Sequence, residues 1–369
     1  MDTFDVDYLL TLQSGETIDQ KLRGICLEQS VELSGNLISD EIEKRIVGQI
    51  LRREPMGDQK FNATIRWPVD DIGTGITQFL NLLYGNISLK PGIQITGIDW
   101  NALPDTLFRG PAYGIHEIRD KYEIPKRALS CTALKPMGYS ARELADLAYE
   151  FALGGLDIIK EDHGLSNQPY APFDERVKAC IEAIRRAADE TGHRSYYYPN
   201  VTGDFLQVKK RYLQAAEWGA DGVLLSPHLS GLSVMHHLAR LDVDLPIMAH
   251  PAFSGSLITQ KDQGFSHALL YGGLWRALGA DFVIYPNTGG RFSFTAKDCR
   301  SINEAARDTN LNYAQSFPTI AGGMKRSTIT KWLDTYGPDT VFLIGGDLYE
   351  HPDGVRYAAE EFQAKLEDY

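Results

Sequence analysis

Cysteine is scarce: Cys26, Cys131, Cys180 and Cys299 lie far apart in 369 residues, with no CxxC spacing. That excludes a disulfide framework and a zinc site built on paired thiolates. Long apolar runs are missing as well, and none approaches the ~20 residues of a membrane span. The opening MDTFDVDYLL is acidic and lacks the apolar centre of a signal peptide, so the cytoplasm is the expected location. Clusters of Lys and Arg are absent, and 49 acidic against 37 basic residues leave a formal charge of −12. Neither nucleic acid nor an anionic membrane is a fitting partner for such a surface. Low-complexity segments and internal repeats are lacking too. What is present is the composition of a soluble globular enzyme, 43% hydrophobic and 23% charged, with length for two domains or one large barrel plus an appendage.

From about residue 129 short β-rich runs alternate with amphipathic stretches. The runs are 129–134, 156–161, 194–202, 221–227, 245–251, 281–287, 316–323 and 340–347. Segments such as ARELADLAYEFALGG and DERVKACIEAIRRAADETG between them carry apolar residues at helical spacing, with Gly near several ends. Eight strands, nearly continuous in apolar character and each followed by a helix, give an α/β fold of the (β/α)8 TIM-barrel type over residues 123–369. Residues 1–122 lack this alternation. They mix strand-like VDYLLTL and FNATIRWPV with helical TIDQKLRGICLEQS and ITQFLNLLYGN, which predicts a smaller α+β N-terminal domain, with the joint in 111–128.

Active sites of such barrels form at the C-terminal ends of the strands. Polar residues gather there: Lys135 after the first strand, Lys160, Glu161, Asp162 and His163 after the second, and Asn200 after the third. His250 follows the fifth strand, and Asn287 and Thr288 the sixth. Strand side chains alternate, so Lys160 and Asp162 share one cavity while Glu161 points away. Two readings of KEDH stay open. One is a plain ion pair. In the other, CO2 carbamylates Lys160, which joins Asp162 and His163 as ligands to Mg2+ or another divalent cation, since a carbamate is a hard oxygen donor. Gly322, Gly323, Gly345 and Gly346 follow the last two strands, where they form either tight turns or a phosphate cradle built from backbone N–H groups. His228 is an outside candidate for the site, His236 and His237 read as structural, and Tyr196–Tyr198 as a packed strand.

GGLDIIKEDHGLSNQPYAPFDERV resembles the second-strand motif of the ribulose bisphosphate carboxylase large chain. LEQS, YGN, GPAYGI, TALKP, AGGM and IGGDLYEHP match that family in order along nearly the whole chain. The resemblance, specifically to form IV, the carboxylase-like proteins, implies roles by position. Lys160 falls on the carbamylated lysine, Asp162 on a metal ligand, and His163 where the family has glutamate. Lys135 falls on the lysine that handles protons at the substrate carbonyl carbons, and His250 on a retained histidine. Glu28 and Asn86 fall on residues that cover a partner chain's site, which implies a homodimer and adds Asn86 to the catalytic set. Met137 replaces the second lysine of TALKP and Ser254 another histidine. Pro251 stands where the family has an arginine for a second phosphate. Tyr285 and Ala321 replace the histidine and serine that share that phosphate, and Phe292 stands at or near the mobile-loop lysine that assists CO2 addition.

Groups for enolisation thus survive, while those for the second phosphate and for carboxylation are gone. The resemblance implies a sugar-monophosphate isomerase, with 5-methylthioribulose 1-phosphate of sulfur salvage as substrate, and not a carbon-fixing enzyme. Enolisation of 2,3-diketo-5-methylthiopentyl 1-phosphate is the alternative, and other relatives process apiose-derived sugar acids. A Schiff-base aldolase and a non-catalytic binding protein are the readings from other classes. Histidine in place of a carboxylate shifts the expected metal from Mg2+ toward Mn2+, Fe2+, Co2+ or Zn2+, or else the metal is lost and Lys160 acts as a plain amine.

Overall fold

LSCTAL is small or apolar throughout, and Leu129–Leu134 forms the first barrel strand, buried along its whole length. The computed structural model describes residues 2–369. The second to eighth barrel strands are Ile158–Glu161, Tyr196–Tyr198, Val223–Leu225, Ile247–Ala249, Phe282–Pro286, Phe317–Ala321 and Val341–Leu343. Each lies within an expected run, and seven of the runs are trimmed at one or both ends. Prolines account for much of the trimming: Pro199, Pro227 and Pro251 have no N–H for the ladder and turn the chain outward where the polar residues begin. All neighbours pair in parallel, in the spatial order three-two-one-eight-seven-six-five-four. The seam closes through a bridge between Asn200 and Leu224, flanked by Val201 N–H to the Leu224 carbonyl at 3.0 Å and Leu224 N–H to the Pro199 carbonyl at 2.9 Å.

Alternation sorts the side chains into two layers. Cys131, Ile158, Tyr196, Tyr198, Met248 and Phe282 fill the barrel interior, and Ile115, Ile118 and Tyr122 of the helix Gly114–Tyr122 plug its base. Ile159, Tyr197 and Val283 face the surrounding helices. Carboxylates hold the base together. Asp157 accepts both Arg127 Nη atoms at 2.7 Å, and Asp281 accepts the N–H groups of Tyr113 at 2.9 Å, Gly114 at 3.1 Å and Ile247 at 2.9 Å. Capping boxes start the helices Ala141–Leu153, where Ser140 pairs with Glu143, and Ala296–Ala306, where Thr295 pairs with Asp298.

The N-terminal part is α+β as expected, with one difference. Its sheet has five strands, in the order Gly264–Phe265, Ile93–Ile98, Thr3–Thr11, Lys60–Pro68, Gln49–Gly57. The first of these comes from the stretch between the fifth and sixth barrel strands and covers the free edge of Ile93–Ile98 in parallel. A two-residue strand has no sequence signature of its own. All four cysteines are free and buried. Among the described residues no helix is long and apolar enough to cross a membrane.

Candidate active site

Ile158 lines the interior, so Lys160, two residues on, points into the next layer up and Glu161 points out. Glu161 is held there by a buried set of donors. Arg176 Nε reaches its Oε1 at 2.6 Å and Nη2 its Oε2 at 3.0 Å, the Tyr197 hydroxyl donates at 2.6 Å, and the Asn200 N–H donates at 2.8 Å. Both side chains of the Glu161–Arg176 pair are inaccessible to solvent. This carboxylate is structural and does not face the mouth of the barrel.

Lys160 is 3% exposed, and its Nζ donates to the carbonyl of its neighbour Glu161 at 3.0 Å. Burial lowers its pKa, a shift that Cys131, Asp162 and Glu161 oppose and the Lys135 charge assists. Asp162 accepts the Gly164 N–H on Oδ1 at 2.9 Å and the Lys135 ammonium on Oδ2. Its burial alone would raise the carboxyl, but these hydrogen bonds and the Lys160 and Lys135 charges outweigh it and hold the pKa at about 2. His163 Nδ1 lies 3.4 Å from Asp162 Oδ1. Its ring stacks on His250, with centroids 4.3 Å apart and planes 12° from parallel. Burial pushes both imidazoles toward the neutral form; the lysine charges add to this, and Asp162 opposes it. The Ala252 N–H donates to His250 Nδ1 at 3.2 Å, so Nε2 carries the proton. Asn200 Nδ2 pins the loop by donating to the carbonyls of His163 at 2.9 Å and Leu165 at 2.7 Å.

Lys135 is fixed at its backbone. Its N–H donates to the Tyr349 hydroxyl at 2.9 Å, and that hydroxyl donates to the Ala133 carbonyl at 2.7 Å. A methyl group placed on Gly345 would lie 3.9 Å from Lys135 Cε, so the eighth-strand glycines adjoin this lysine. Gly346 borders open space, with no atom within 4 Å of where a Cβ would stand. Gly322 and Gly323 take φ of 75° and 77°, the left-handed region that favours glycine. Gly323 also packs on Gly290, whose Cα would lie 3.1 Å from an added methyl. Met137 packs its Sδ over Gly164, 2.5 Å from where a Cβ would stand.

The structure therefore brings Lys135, Lys160, Asp162, His163 and His250 together, with Gly345 beside them. Glu28 and Asn86 are elsewhere. Asn86 Nδ2 donates to Glu28 and Glu32, both at 3.3 Å, and Glu28 pairs with Lys90. Among the described residues neither makes a hydrogen bond to a strand-end residue of its own chain. Tyr285, read as a substitute at the lost phosphate position, is fully buried in the outer layer against Asn303, because Ile284 takes the inward place. His228 is a half-buried neutral acceptor of the Trp275 indole N–H at 3.2 Å, its pKa pushed down to about 4 by desolvation. Two contributors were not legible, Arg176 and Tyr349, because both act through contacts that only the fold creates.

The donors suit a divalent cation on one condition. Among the described residues no three His, Cys, Asp or Glu side chains cluster as a metal set, so Asp162 and His163 need Lys160 as the third ligand. A buried amine of lowered pKa is the form that adds CO2, His163 is held toward neutrality, and each Asp162 oxygen retains a lone pair beyond its present donor. A carbamate on Lys160 would, together with Asp162, supply two negative charges to balance such an ion.

The ribulose bisphosphate carboxylase large chain catalytic domain matches residues 114–367. The chain belongs to that family. It is 36% identical over 355 residues to the 5-methylthioribulose-1-phosphate isomerase of Rhodospirillum rubrum, covering 95% of this chain and 92% of that protein. Identity to the 2,3-diketo-5-methylthiopentyl-1-phosphate enolase of Bacillus pumilus is 31%, covering 98% and 91%. The solved Rubisco-like protein from Rhodopseudomonas palustris superimposes with a TM-score of 0.88 at 31% identity, covering 100% of this chain and 99% of that one. Within the family the chain falls with the Rubisco-like, form IV proteins.

Proposed function

We propose that this protein shifts the carbonyl of 5-methylthioribulose 1-phosphate by enolisation, giving a methylthioxylulose phosphate, and fixes no CO2. The observation that carries the reading is the joining of Lys135 to Asp162 beside the stacked His163–His250 pair, while Pro251 leaves no charged donor for a second phosphate. The likeness to the Rhodospirillum rubrum isomerase supports the choice of substrate.

The phosphate sits at Gly322, Gly323, Gly345 and Gly346, which places the ketone by Lys135. Lys135, once its ammonium has passed a proton on to solvent, takes the proton from the carbon next to the ketone, and the electron pair moves to the carbonyl oxygen. His250 donates its Nε2–H to that oxygen without transferring charge. Return of a proton to the former carbonyl carbon, as the hydroxyl on the adjacent carbon gives up its own, moves the ketone one carbon along, and a second such round brings it beside the methylthio-bearing CH2 of a methylthioxylulose phosphate. A divalent cation on carbamylated Lys160, Asp162 and His163 would supply Lewis-acid polarisation of the ketone. Glu28 and Asn86, which among the described residues pair with each other and with Lys90 and Glu32 rather than with strand-end residues of their own chain, complete the site of a second copy in a homodimer.

The test is deuterium wash-in from D2O into 5-methylthioribulose 1-phosphate, with and without Mg2+ and bicarbonate. Wild type incorporates label, and Lys135→Met slows incorporation about 100-fold to 10,000-fold, the range of a lost general acid–base group. The likeness to the Bacillus pumilus enolase makes the diketo phosphate the second substrate to assay, and faster exchange there would replace the isomerase reading. Borohydride labelling of Lys135 or Lys160 in the presence of substrate would point instead to a Schiff base.

A further inference from the structure

Glycine turns offer a phosphate only neutral N–H donors, whereas a phosphate dianion out of bulk water is held best by charged ones. Most cations near the mouth of the barrel are already committed. Lys135 is paired with Asp162, and Lys160 is buried against a backbone carbonyl. Arg326, beyond the seventh-strand turn, is tied to Asp347 and Glu361, and the charge of Lys325 acts on Asp347 as well.

Arg291 differs from all of these. It is exposed, and among the described residues no carboxylate pairs with it. Its guanidinium lies 5.1 Å from the centroid of the neighbouring Phe292 ring, and an edge of that ring is 3.5 Å from the Cβ position of Gly322. The guanidinium is thus one ring away from the Gly322–Gly323 turn. The preceding residue, Gly290, anchors the loop there: a methyl group on it would meet the Gly322 carbonyl at 2.7 Å. In the other direction the Arg291 charge is close enough to be felt by His163. The arginine is thus carried by the loop that packs on the Gly322–Gly323 turn.

We propose that Arg291 supplies the charged donor for the substrate's phosphate, reaching it from the loop after the sixth barrel strand across the Gly322–Gly323 turn. The inference rests on the monophosphate reading above and adds to it the residue that neutralises the anion. A planar guanidinium also offers two parallel N–H groups to two phosphate oxygens, which a lysine cannot.

Calorimetric titration of the full-length protein with inorganic phosphate tests this without relying on turnover. Wild type binds phosphate, and Arg291→Gln weakens binding about 10-fold to 100-fold. Arg291→Lys recovers part of the loss. Raised salt weakens wild-type binding more than that of Arg291→Gln. An unchanged melting temperature shows that the exposed side chain has been removed without unfolding. In steady-state assays the same variant raises KM with a smaller change in kcat. Wild-type affinity for phosphate in Arg291→Gln, or no binding by wild type, overturns the proposal. The two readings fail separately. A wild type that enolises no sugar phosphate, with an Arg291→Gln that loses phosphate, sinks the function and leaves the arginine assigned. A wild type that enolises, with an Arg291→Gln of unchanged KM and phosphate affinity, does the reverse.

Discussion

His250 shows how one side chain can couple the site to pH. Burial, then the charges of Lys160 and His163, hold its pKa well below the usual 6.5. The folded state therefore binds fewer protons than the unfolded state wherever an unfolded histidine would be charged. Its contribution to stability is present above about pH 6.5 and is lost as the pH falls below that value. His250→Phe keeps a flat ring against His163 but cannot titrate. Urea midpoints measured between about pH 7 and about pH 5 should fall less steeply for that variant than for wild type. His228, His236 and His267 are shifted the same way, so the slope diminishes without vanishing. The stacking itself was not legible: His163 was expected to turn inward as a ligand, and nothing in the sequence placed its ring on His250.

At the scale of elements, KEDH divides its duties across the second strand. Lys160 and Asp162 serve the mouth, and Glu161 secures the strand to the helix Phe173–Thr191 through Arg176. Removing one partner of such a buried pair strands the other, so Glu161→Ala should cost about 3–5 kcal/mol, read from chemical denaturation. The helix face of the third strand should loosen as well, because Tyr197 and Asn200 lose the same acceptor. The outward direction of Glu161 was legible from alternation alone. Its partners were not, being brought in from 15, 36 and 39 residues away. Strand centres were legible for the opposite reason: a parallel strand buried on both faces is apolar throughout, and LDII and GVLL need no tertiary context to declare themselves. Strand ends were harder, because Asn200 and His250 sit beside a proline in runs that look extended, and each keeps only a single bridge or hydrogen bond to the neighbouring strand.

For the whole molecule, the separation of Asn86 and Glu28 from their own chain's strand ends has a measurable counterpart. In a homodimer with shared sites, a Lys135→Met chain carries an intact N-terminal part, and an Asn86→Ala chain carries an intact barrel. Mixed dimers of two such inactive chains should regain deuterium exchange at one of their two sites. Absence of recovery in verified mixed dimers would show that each chain completes its own site. By resemblance, the order of motifs along the chain implies this division, while the α+β character of the N-terminal part was legible in its own residues. The closing of the N-terminal sheet by Gly264–Phe265 was not, and it has a consequence for dissecting the protein. A fragment ending at the joint would leave Ile93–Ile98 as a bare hydrogen-bonding edge, a template for aggregation. Chimaeras that exchange the first 122 residues with a relative must therefore match the incoming sheet to a dipeptide encoded far downstream, so the two parts are not interchangeable modules.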